Sequence, residues 1–342
     1  MVPKARVDEV GECTPAEFAP QNSAPPFSPD ELSGFENTTL PLQSEGDGEL
    51  VATLVRTVGQ VEDHRPAVLY LHGFVDYFFH AHLANAFEEA GFRFYALDLR
   101  RYGRSLRAEN RPCFAVSADD YFVELDWAFD VIKKLHPRVA ALVAHSTGGL
   151  ISSLYLAARR DRQPAERLIL SSPFLRFNLT PYSRFLSIVA AGLARFLPTL
   201  KLPQQMKSVY GKTIHVNYGG EWDYDLRKKP LGGFPLYAGW FRMIRRAHAK
   251  VRRGVDVGVP VLSLHSDKSH FAGEEPVEAD RACDIVLNVT DIKNLSPHLG
   301  RDVTLVEVPG GLHDLTLSSK AARDLTISKM VQFAAGNCQK GN

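Results

Sequence analysis

Short apolar runs recur along the chain from residue 50 onward, and stretches with helical spacing separate them. Runs of four to eight β-branched and apolar residues predict strands that are buried on both faces. The predicted strands are Leu50–Arg56, Ala67–Leu71, Phe92–Leu97, Val139–Ala144, Arg167–Leu170, Val259–Leu264 and Val303–Val308. Helical spacing over Tyr121–Leu135 and Gly149–Arg159 places helices between them. Strands that alternate with helices predict an α/β fold with a mostly parallel sheet flanked by helices.

Two regions depart from this alternation. Residues 1–48 are rich in Pro, Ser, Glu and Gly, as in "APQNSAPPFSPDELSG", and we predict an irregular N-terminal arm there. Residues 173–258 contain no convincing buried strand but two amphipathic segments, at 184–200 and 234–253. An insertion of this length between core strands predicts a helical cap, or lid, over one end of the sheet. The core would then comprise residues 49–172 and 259–342.

Composition and charge narrow the function classes. The chain has 342 residues, of which 45% are hydrophobic and 23% charged, with a net charge of +1. This balance gives no reason to expect a nucleic-acid partner. The four cysteines are far apart and form no C-x-x-C pair, so we expect free thiols in a reducing compartment. The first twenty residues lack an apolar signal region and no apolar run approaches bilayer length, so we expect a cytoplasmic protein without an integral membrane segment.

The clearest chemical motif is "AHSTG" at residues 144–148, between a predicted strand and a predicted helix. It matches the nucleophile elbow G-x-S-x-G, in which small residues let strand and helix pack closely while the serine projects outward. Ala144 replaces the usual first glycine, a departure of one methyl group. Ser146 is therefore the candidate nucleophile, and a simple helix cap is its alternative role.

A serine nucleophile needs a base and donors for the oxyanion. In "YLHGF", His72-Gly73 directly follows an early strand, so the backbone N–H groups of Phe74 and Thr147 are the candidate oxyanion hole. His313 follows the last predicted strand and is the candidate base. His80 and His82, as "HAH", have metal-like spacing but no nearby third ligand, and we expect them on a helix surface. We expect no cofactor and no metal.

At these residues the chain resembles the α/β-hydrolase family, in its monoacylglycerol-lipase and lysophospholipase-like (serine aminopeptidase S33-type) branch. The resemblance rests on "LHGF", "ALDLRRYGRS", "AHSTGG" and "GGLHDL" and covers roughly residues 50–335. It implies an eight-stranded sheet with a helical cap inserted after the sixth strand. It also implies a catalytic acid after the seventh strand.

Two residues compete for the role of that acid. Asp267 stands at the end of the predicted strand, and Asp284 follows after an extra loop. We favour Asp284, because the interval from it to His313 has room for one helix and one strand, whereas the interval from Asp267 leaves an unexplained surplus. Asp314 is adjacent to His313, and we expect it to be a surface or helix-capping carboxylate. The predicted triad is thus Ser146, Asp284 and His313.

The resulting hypothesis is a serine hydrolase that cleaves carboxylic esters through an acyl-enzyme on Ser146. An apolar acyl group would lie under the cap. A basic segment of the cap could contact an anionic headgroup or a membrane surface transiently, although a solvated face is the simpler interpretation; it contains Arg242, Arg245, Arg246 and Lys250.

Other functions are compatible with the same triad. An amidase or aminopeptidase could use acids of the cap, Glu221, Asp223 and Asp225, to bind a substrate amine. Lactone opening and carbon–carbon bond hydrolysis are further alternatives. A non-catalytic binding module is disfavoured, because all three triad roles have a candidate residue.

Overall fold

A computed structural model describes residues 24–44, 46–59, 64–178, 192, 194–203, 208–273 and 275–336. These residues form eleven strands and seven α-helices. The strands are β1 (Ser28–Pro29), β2 (Phe35–Leu42), β3 (Leu50–Thr57), β4 (Ala67–Leu71), β5 (Arg93–Asp98), β6 (Val139–His145), β7 (Leu168–Ser171), β8 (Lys201–Leu202), β9 (Leu236–Tyr237), β10 (Val261–Ser266) and β11 (Val303–Val308). The helices are α1 (Ala81–Glu89), α2 (Phe122–Leu135), α3 (Thr147–Ala158), α4 (Val209–Ile214), α5 (Ala238–Arg252), α6 (Val289–Leu295) and α7 (Lys320–Ala334).

Nine of the strands form one sheet, in the order β1-β2-β3-β5-β4-β6-β7-β10-β11. The pairs from β5 to β11 are parallel, and those joining β1, β2, β3 and β5 are antiparallel. The predicted mostly parallel sheet is therefore confirmed. The two-residue strand β1 is an addition to the eight strands that the sequence resemblance implies.

Helices cover both faces of the sheet, which is why β4 and β6 are buried along their whole length. One hydrophobic cluster packs α2 and α3 against the sheet, through Phe129 and Ile151 among others. A second cluster, on the other face, includes Phe87 of α1 and Met330 of α7. The carboxyl ends of the parallel strands remain available for a site, as is usual in such sheets.

The prediction of an irregular arm over residues 1–48 is wrong for residues 35–42. Strand β2 pairs antiparallel with β3 from Phe35↔Thr57 to Leu42↔Leu50, so this segment belongs to the main sheet. Its buried residues, Phe35, Thr38 and Leu40, do not follow the strict alternation that marks a strand in sequence. Residues 1–23 lie outside the described part of the chain.

The first amphipathic segment of the predicted cap, 184–200, lies largely outside the described residues. The described part of the inserted region differs from the predicted helical cap in two ways. Strand β8 pairs with β9 in a small two-stranded sheet. The second segment forms α5, whose apolar face belongs to the same hydrophobic cluster as α3. That helix is therefore part of the core. The described part of the cap then consists of residues 194–203 and 208–237, which include α4.

His248 on α5 gives the fold a specific pH dependence. Its Nε2–H donates to the carbonyl of Phe174 at 2.8 Å, and burial lowers the pKa of its imidazole from 6.5 to about 3. Between about pH 6.5 and 3, this imidazole is therefore protonated in the unfolded chain but neutral in the folded protein. The free energy of unfolding consequently falls as the pH drops through this range. Replacing His248 with glutamine, which keeps an N–H donor, should reduce this fall by about 1.4 kcal/mol per pH unit.

Urea denaturation at several pH values across that range measures this slope. His298→Gln is the matched control, because that ring is exposed in the folded protein and its replacement should leave the slope unchanged. Equal slopes for wild type and His248→Gln would contradict the assignment of a neutral, buried ring to His248.

Candidate active site

Ser146 lies on a sharp turn between β6 and α3, at the carboxyl edge of the sheet. Its backbone has φ 51° and ψ −116°, a conformation that is strained for a residue with a side chain. The turn is held by main-chain hydrogen bonds: the Ser146 N–H donates to the Ser171 carbonyl, and the Ser146 carbonyl accepts from Gly149 and Phe174 at 3.0 Å each. This strained turn fixes the hydroxyl at the start of a helix.

Close packing around the turn explains its small residues. A Cβ atom on Gly148 would lie 2.4 Å from the carbonyl oxygen of His72, so α3 could not approach the end of β4 with any larger residue there. Ala144, which replaces the first glycine of the motif, is fully buried between its neighbours Leu71 and Leu170. The extra methyl group is therefore accommodated within the sheet.

His313 and Asp284 complete a hydrogen-bonded chain with Ser146. The carboxylate of Asp284 can only accept, so His313 donates from Nδ1 to Asp284 Oδ2 at 3.0 Å. The unprotonated Nε2 of His313 then accepts the hydroxyl proton of Ser146 at 3.0 Å. Both His313 and Asp284 are buried. The second oxygen of Asp284 accepts from the N–H groups of Val286 and Leu287, which fixes the carboxylate.

Asp267, the alternative acid, lies elsewhere in this arrangement. Its Oδ1 accepts from the N–H of Gly310 at 2.9 Å, and its own N–H donates to the carbonyl of Val308. It thereby joins the end of β10 to the turn that follows β11 and leads to His313. Asp267 thus stabilises the loop of residues 309–313, which carries His313. Asp284 is the carboxylate that contacts the imidazole.

The loop after β4 flanks the hydroxyl of Ser146. A Cβ atom on Gly73 would lie 3.2 Å from Cβ of Ser146 and 3.0 Å from Cδ2 of His145. Phe74 follows in this loop, and Thr147 is the first residue of α3. The two backbones that carry the predicted oxyanion donors therefore meet beside the nucleophile, at a helix N-terminus, where partial positive charge favours an anion.

His80 does not lie on a helix surface as predicted, and it contacts Asp314, for which the prediction was a surface or helix-capping carboxylate. Asp314 caps the short 3₁₀ helix that follows it, as predicted, but its side chain is buried. Its Oδ2 lies 2.9 Å from Nε2 of His80, which directly precedes α1 and is also fully buried. His82 is partly buried, and its ring lies 4.4 Å from that of Trp222. Its Nε2–H donates to the carbonyl of Thr316 at 2.9 Å. The "HAH" pair thus anchors the loop that carries His313.

A cluster of buried polar groups adjoins the triad. Asp76, His145 and Asp314 each offer one atom that could ligate a metal ion, and these three atoms lie within 4.8 Å of one another. The carboxylates already have partners, however: Lys229 Nζ lies 2.6 Å from Asp76 Oδ1, and His80 contacts Asp314. We therefore interpret the cluster as an ion-pair network.

His145 is neutral beside the catalytic candidate. Burial is the main cause that lowers the pKa of its imidazole to about 4. Its Nδ1–H donates to the carbonyl of Ser171 at 3.2 Å, and its ring lies 4.9 Å from that of His313. A neutral ring here places no positive charge next to an imidazolium that would form on His313.

Aromatic side chains from three segments make ring contacts near the Ser146 turn, and we call these four residues the aromatic wall: Phe74, Phe174, Phe177 and Trp240. The rings of Phe74 and Trp240 lie 4.0 Å apart, and Phe174, whose N–H bonds the Ser146 carbonyl, packs against Phe177 at 5.0 Å. On the cap side, Tyr210 of α4 contacts His313 edge to face at 5.7 Å. An apolar group is the natural occupant of such surroundings.

Sequence reasoning missed several residues of this neighbourhood. Asp76 follows the His72-Gly73 motif by a few residues, and that proximity was the only signal for it. Lys229 and Tyr210 belong to the inserted region, where nothing in the sequence indicates which residues face the sheet edge. Their contacts become visible only in the folded chain.

Comparison with known proteins identifies the family and the fold. The family model described as "Serine aminopeptidase, S33" matches residues 62–319. No curated protein matches the chain significantly. The resemblance to the α/β-hydrolase family inferred from the motifs is thereby confirmed.

Several solved structures share the fold. Monoglyceride lipase from Saccharomyces cerevisiae is 16% identical, with a TM-score of 0.62, and the alignment covers 88% of this chain and 97% of that one. Monoacylglycerol lipase from Paleococcus ferrophilus is 20% identical, with a TM-score of 0.60 and coverage of 85% and 100%. A carboxyl esterase from Bacillus coagulans is 16% identical, with a TM-score of 0.61 and coverage of 88% and 98%. At these identities the likeness establishes the α/β-hydrolase fold.

Proposed function

Because this chain belongs to the serine aminopeptidase S33 family of α/β-hydrolases, we propose that it is a serine hydrolase acting on carboxylic esters. The observation that carries the proposal is the hydrogen-bonded chain from Asp284 through His313 to Ser146, with the serine on a strained turn at a helix N-terminus. An alcohol, an imidazole and a carboxylate in this order constitute the arrangement that activates serine.

In the proposed first step, Oγ of Ser146 attacks the ester carbonyl carbon while Nε2 of His313 takes the hydroxyl proton. The carboxylate of Asp284 keeps the imidazole in the required tautomer and stabilises the imidazolium. The N–H groups of Phe74 and Thr147 would hold the oxyanion of the tetrahedral intermediate. The intermediate then collapses, the C–O bond to the alcohol breaks, and His313 gives its proton to the departing oxygen.

Deacylation repeats the same proton path. Water attacks the acyl carbon as Nε2 of His313 removes its proton, and the imidazolium returns a proton to Oγ of Ser146 when the acid leaves. The neutral state of His145 favours both steps, since a second cation would oppose formation of the imidazolium.

For the substrate we propose an ester with an apolar acyl group. The aromatic wall supports this choice, because Phe74 and Phe174 lie in the two loops that border the Ser146 turn, and each packs against a further ring, that of Trp240 or Phe177. Burial of each methylene against such a surface contributes about 0.8 kcal/mol to binding. Two proteins of the same fold, described as a monoglyceride lipase and a carboxyl esterase, are consistent with such a substrate.

Amide hydrolysis is less well supported. Of the cap acids that could bind a substrate amine, Glu221 pairs with Arg323 at 3.1 Å, and Asp225 pairs with Arg227. Asp223 is exposed. The two paired carboxylates thus already have cationic partners, which weakens the argument for an aminopeptidase.

A panel of substrates tests the proposal. p-Nitrophenyl esters of increasing acyl length, a lactone and aminoacyl anilides are compared by kcat/KM on the wild-type protein. We expect ester turnover to exceed anilide turnover by at least about a hundredfold, and to rise about tenfold for every two methylenes until the acyl chain has covered the apolar surface of the aromatic wall.

Anilides or the lactone as the best substrates would replace ester hydrolysis by amide or lactone chemistry. No turnover of any member of the panel would favour a non-catalytic binding module.

Three further points complete the proposal. No helix among the described residues is long and apolar enough to cross a membrane. For the basic side of α5 we propose a solvated surface, since Arg246 and Lys250 are exposed while the opposite side is buried in the core. We also propose a cytoplasmic location, which free thiols at Cys113 and Cys283 support.

A further inference from the structure

A buried ion pair joins the inserted region to the loop that carries the candidate oxyanion donor. We name Gly73–Asp76 the oxyanion loop and Tyr224–Lys229 the cap strap. Nζ of Lys229 lies 2.6 Å from Oδ1 of Asp76, and the two side chains are 8% and 3% exposed. A buried pair of this kind is destabilising to break, because the remaining charge is left without compensation.

Asp76 fixes the conformation of the oxyanion loop. Its second oxygen, Oδ2, accepts from the N–H of Gly73 at 3.4 Å, which closes the loop around Phe74. Val75 within the loop has φ 50°, a conformation that a β-branched residue adopts only under constraint. Burial alone would raise the pKa of Asp76; the ammonium of Lys229 is the main opposing cause, and the pKa lies below its ordinary value.

The cap strap is itself anchored to the residues that follow the oxyanion loop. The ammonium of Lys229 lies over the rings of Phe79 and Tyr224, at 5.1 Å and 5.5 Å from their centroids. The N–H of Asp225 donates to Oη of Tyr77 at 2.9 Å. Lys229 therefore has a defined position, and its charge is directed at Asp76.

We propose that Lys229 is a positioning residue for the oxyanion loop: its ion pair with Asp76 holds the N–H of Phe74 in line with the developing oxyanion. The inserted region thus contributes to transition-state stabilisation as well as to substrate binding. This inference rests on the proposed function, because it concerns the same oxyanion.

The test compares Lys229→Met with Lys250→Met on a short p-nitrophenyl ester. Lys250 is an exposed lysine on the solvated side of α5, outside the cap strap, so its replacement should leave kcat within about twofold. Lys229→Met should lower kcat by about 10- to 100-fold with little change in KM, since a misaligned oxyanion donor affects the transition state more than the bound ester.

An alkyl trifluoromethyl ketone supplies a readout that a purely structural role would not change. It forms a tetrahedral adduct with the serine, so its inhibition constant should rise by the same factor by which kcat/KM falls. Turnover and ketone affinity within about twofold of wild type would overturn the proposal. A fall in kcat without a change in ketone affinity would overturn it as well.

A double variant, Asp76→Asn with Lys229→Met, controls for misfolding of the single variant. It removes both charges of the buried pair, so neither is left without a partner. The asparagine still accepts from Gly73, but the link to the cap strap is lost, so we expect kcat about tenfold below wild type and a matching loss of ketone affinity. A double variant as active as wild type would refute the role of the ion pair. A wild-type protein without ester turnover would refute the proposed function instead.

Discussion

Replacing Asp284 with asparagine should lower kcat for ester hydrolysis by about ten-thousand-fold while the protein stays folded. The reason is that Asp284 sets the tautomer of the His313 imidazole. Asp284 accepts the Nδ1–H of His313, which leaves Nε2 free to accept the Ser146 proton. An asparagine N–H₂ group can donate to Nδ1 instead, and the ring would then carry its proton on Nε2, where it cannot act as a base.

Asp267→Asn is the matched control for this prediction. Asp267 accepts from Gly310 and does not contact the imidazole, and the asparagine oxygen can accept the same hydrogen bond. We expect kcat within about tenfold of wild type and a modest loss of thermal stability at most. Steady-state kinetics on one p-nitrophenyl ester measures both variants. A severe loss for Asp267→Asn with an active Asp284→Asn would reverse the assignment of the acid.

Ser146→Ala should have a still larger effect, a loss of about a million-fold in kcat, because no other residue supplies the attacking oxygen. His313→Ala should cost a similar factor, and the double variant should be no worse than either single variant, since the two groups act as a unit. Substrate binding should persist in Ser146→Ala, because the aromatic wall is unchanged.

Binding of a non-hydrolysed substrate to Ser146→Ala is followed by intrinsic tryptophan fluorescence, to which Trp240 next to Phe74 contributes, and checks that the aromatic wall is intact. Residual turnover above the spontaneous rate should come only from the oxyanion donors and binding. A Ser146→Ala variant that retains more than about one percent of kcat would contradict the role of this hydroxyl.

The elements that sequence analysis predicted well are those whose signal is local. Buried parallel strands such as β4 and β6 are apolar throughout, apart from His145 at the end of β6, and their predicted bounds differ from the structure by one residue at most. The elbow at Ser146 is equally local, because its small residues are required by contacts across a single turn.

Edge elements and inserted elements carry weaker signals. Strand β2 contains polar residues and Pro41, and its segment was therefore predicted to be irregular. Strand β1 pairs only with Glu36 and Asn37, so Pro41 lies where the outer side of β2 has no strand partner among the described residues. Helix α5 has the amphipathic pattern of a surface helix, but the pattern does not specify which layer its apolar side contacts. The structure packs it into the core beside α3.

Contacts between distant residues are the least predictable. Asp76 and Lys229 are 153 positions apart, and His80 and Asp314 are 234 apart. Neither pair has a spacing or motif that indicates contact, because the fold alone brings them together. The choice of Asp284 over Asp267 rested on room for intervening elements, and α6 and β11 do occupy that interval.

Labelling by a fluorophosphonate tests most directly whether an activated alcohol operates at the carboxyl rim of this sheet. The intact wild-type protein is treated with the reagent and digested, and the modified peptide is identified by mass spectrometry. The account predicts stoichiometric modification of the residue at position 146, greatly slowed labelling in Asp284→Asn, and none in Ser146→Ala. A native protein that remains unmodified, or a label on a different side chain, would contradict it.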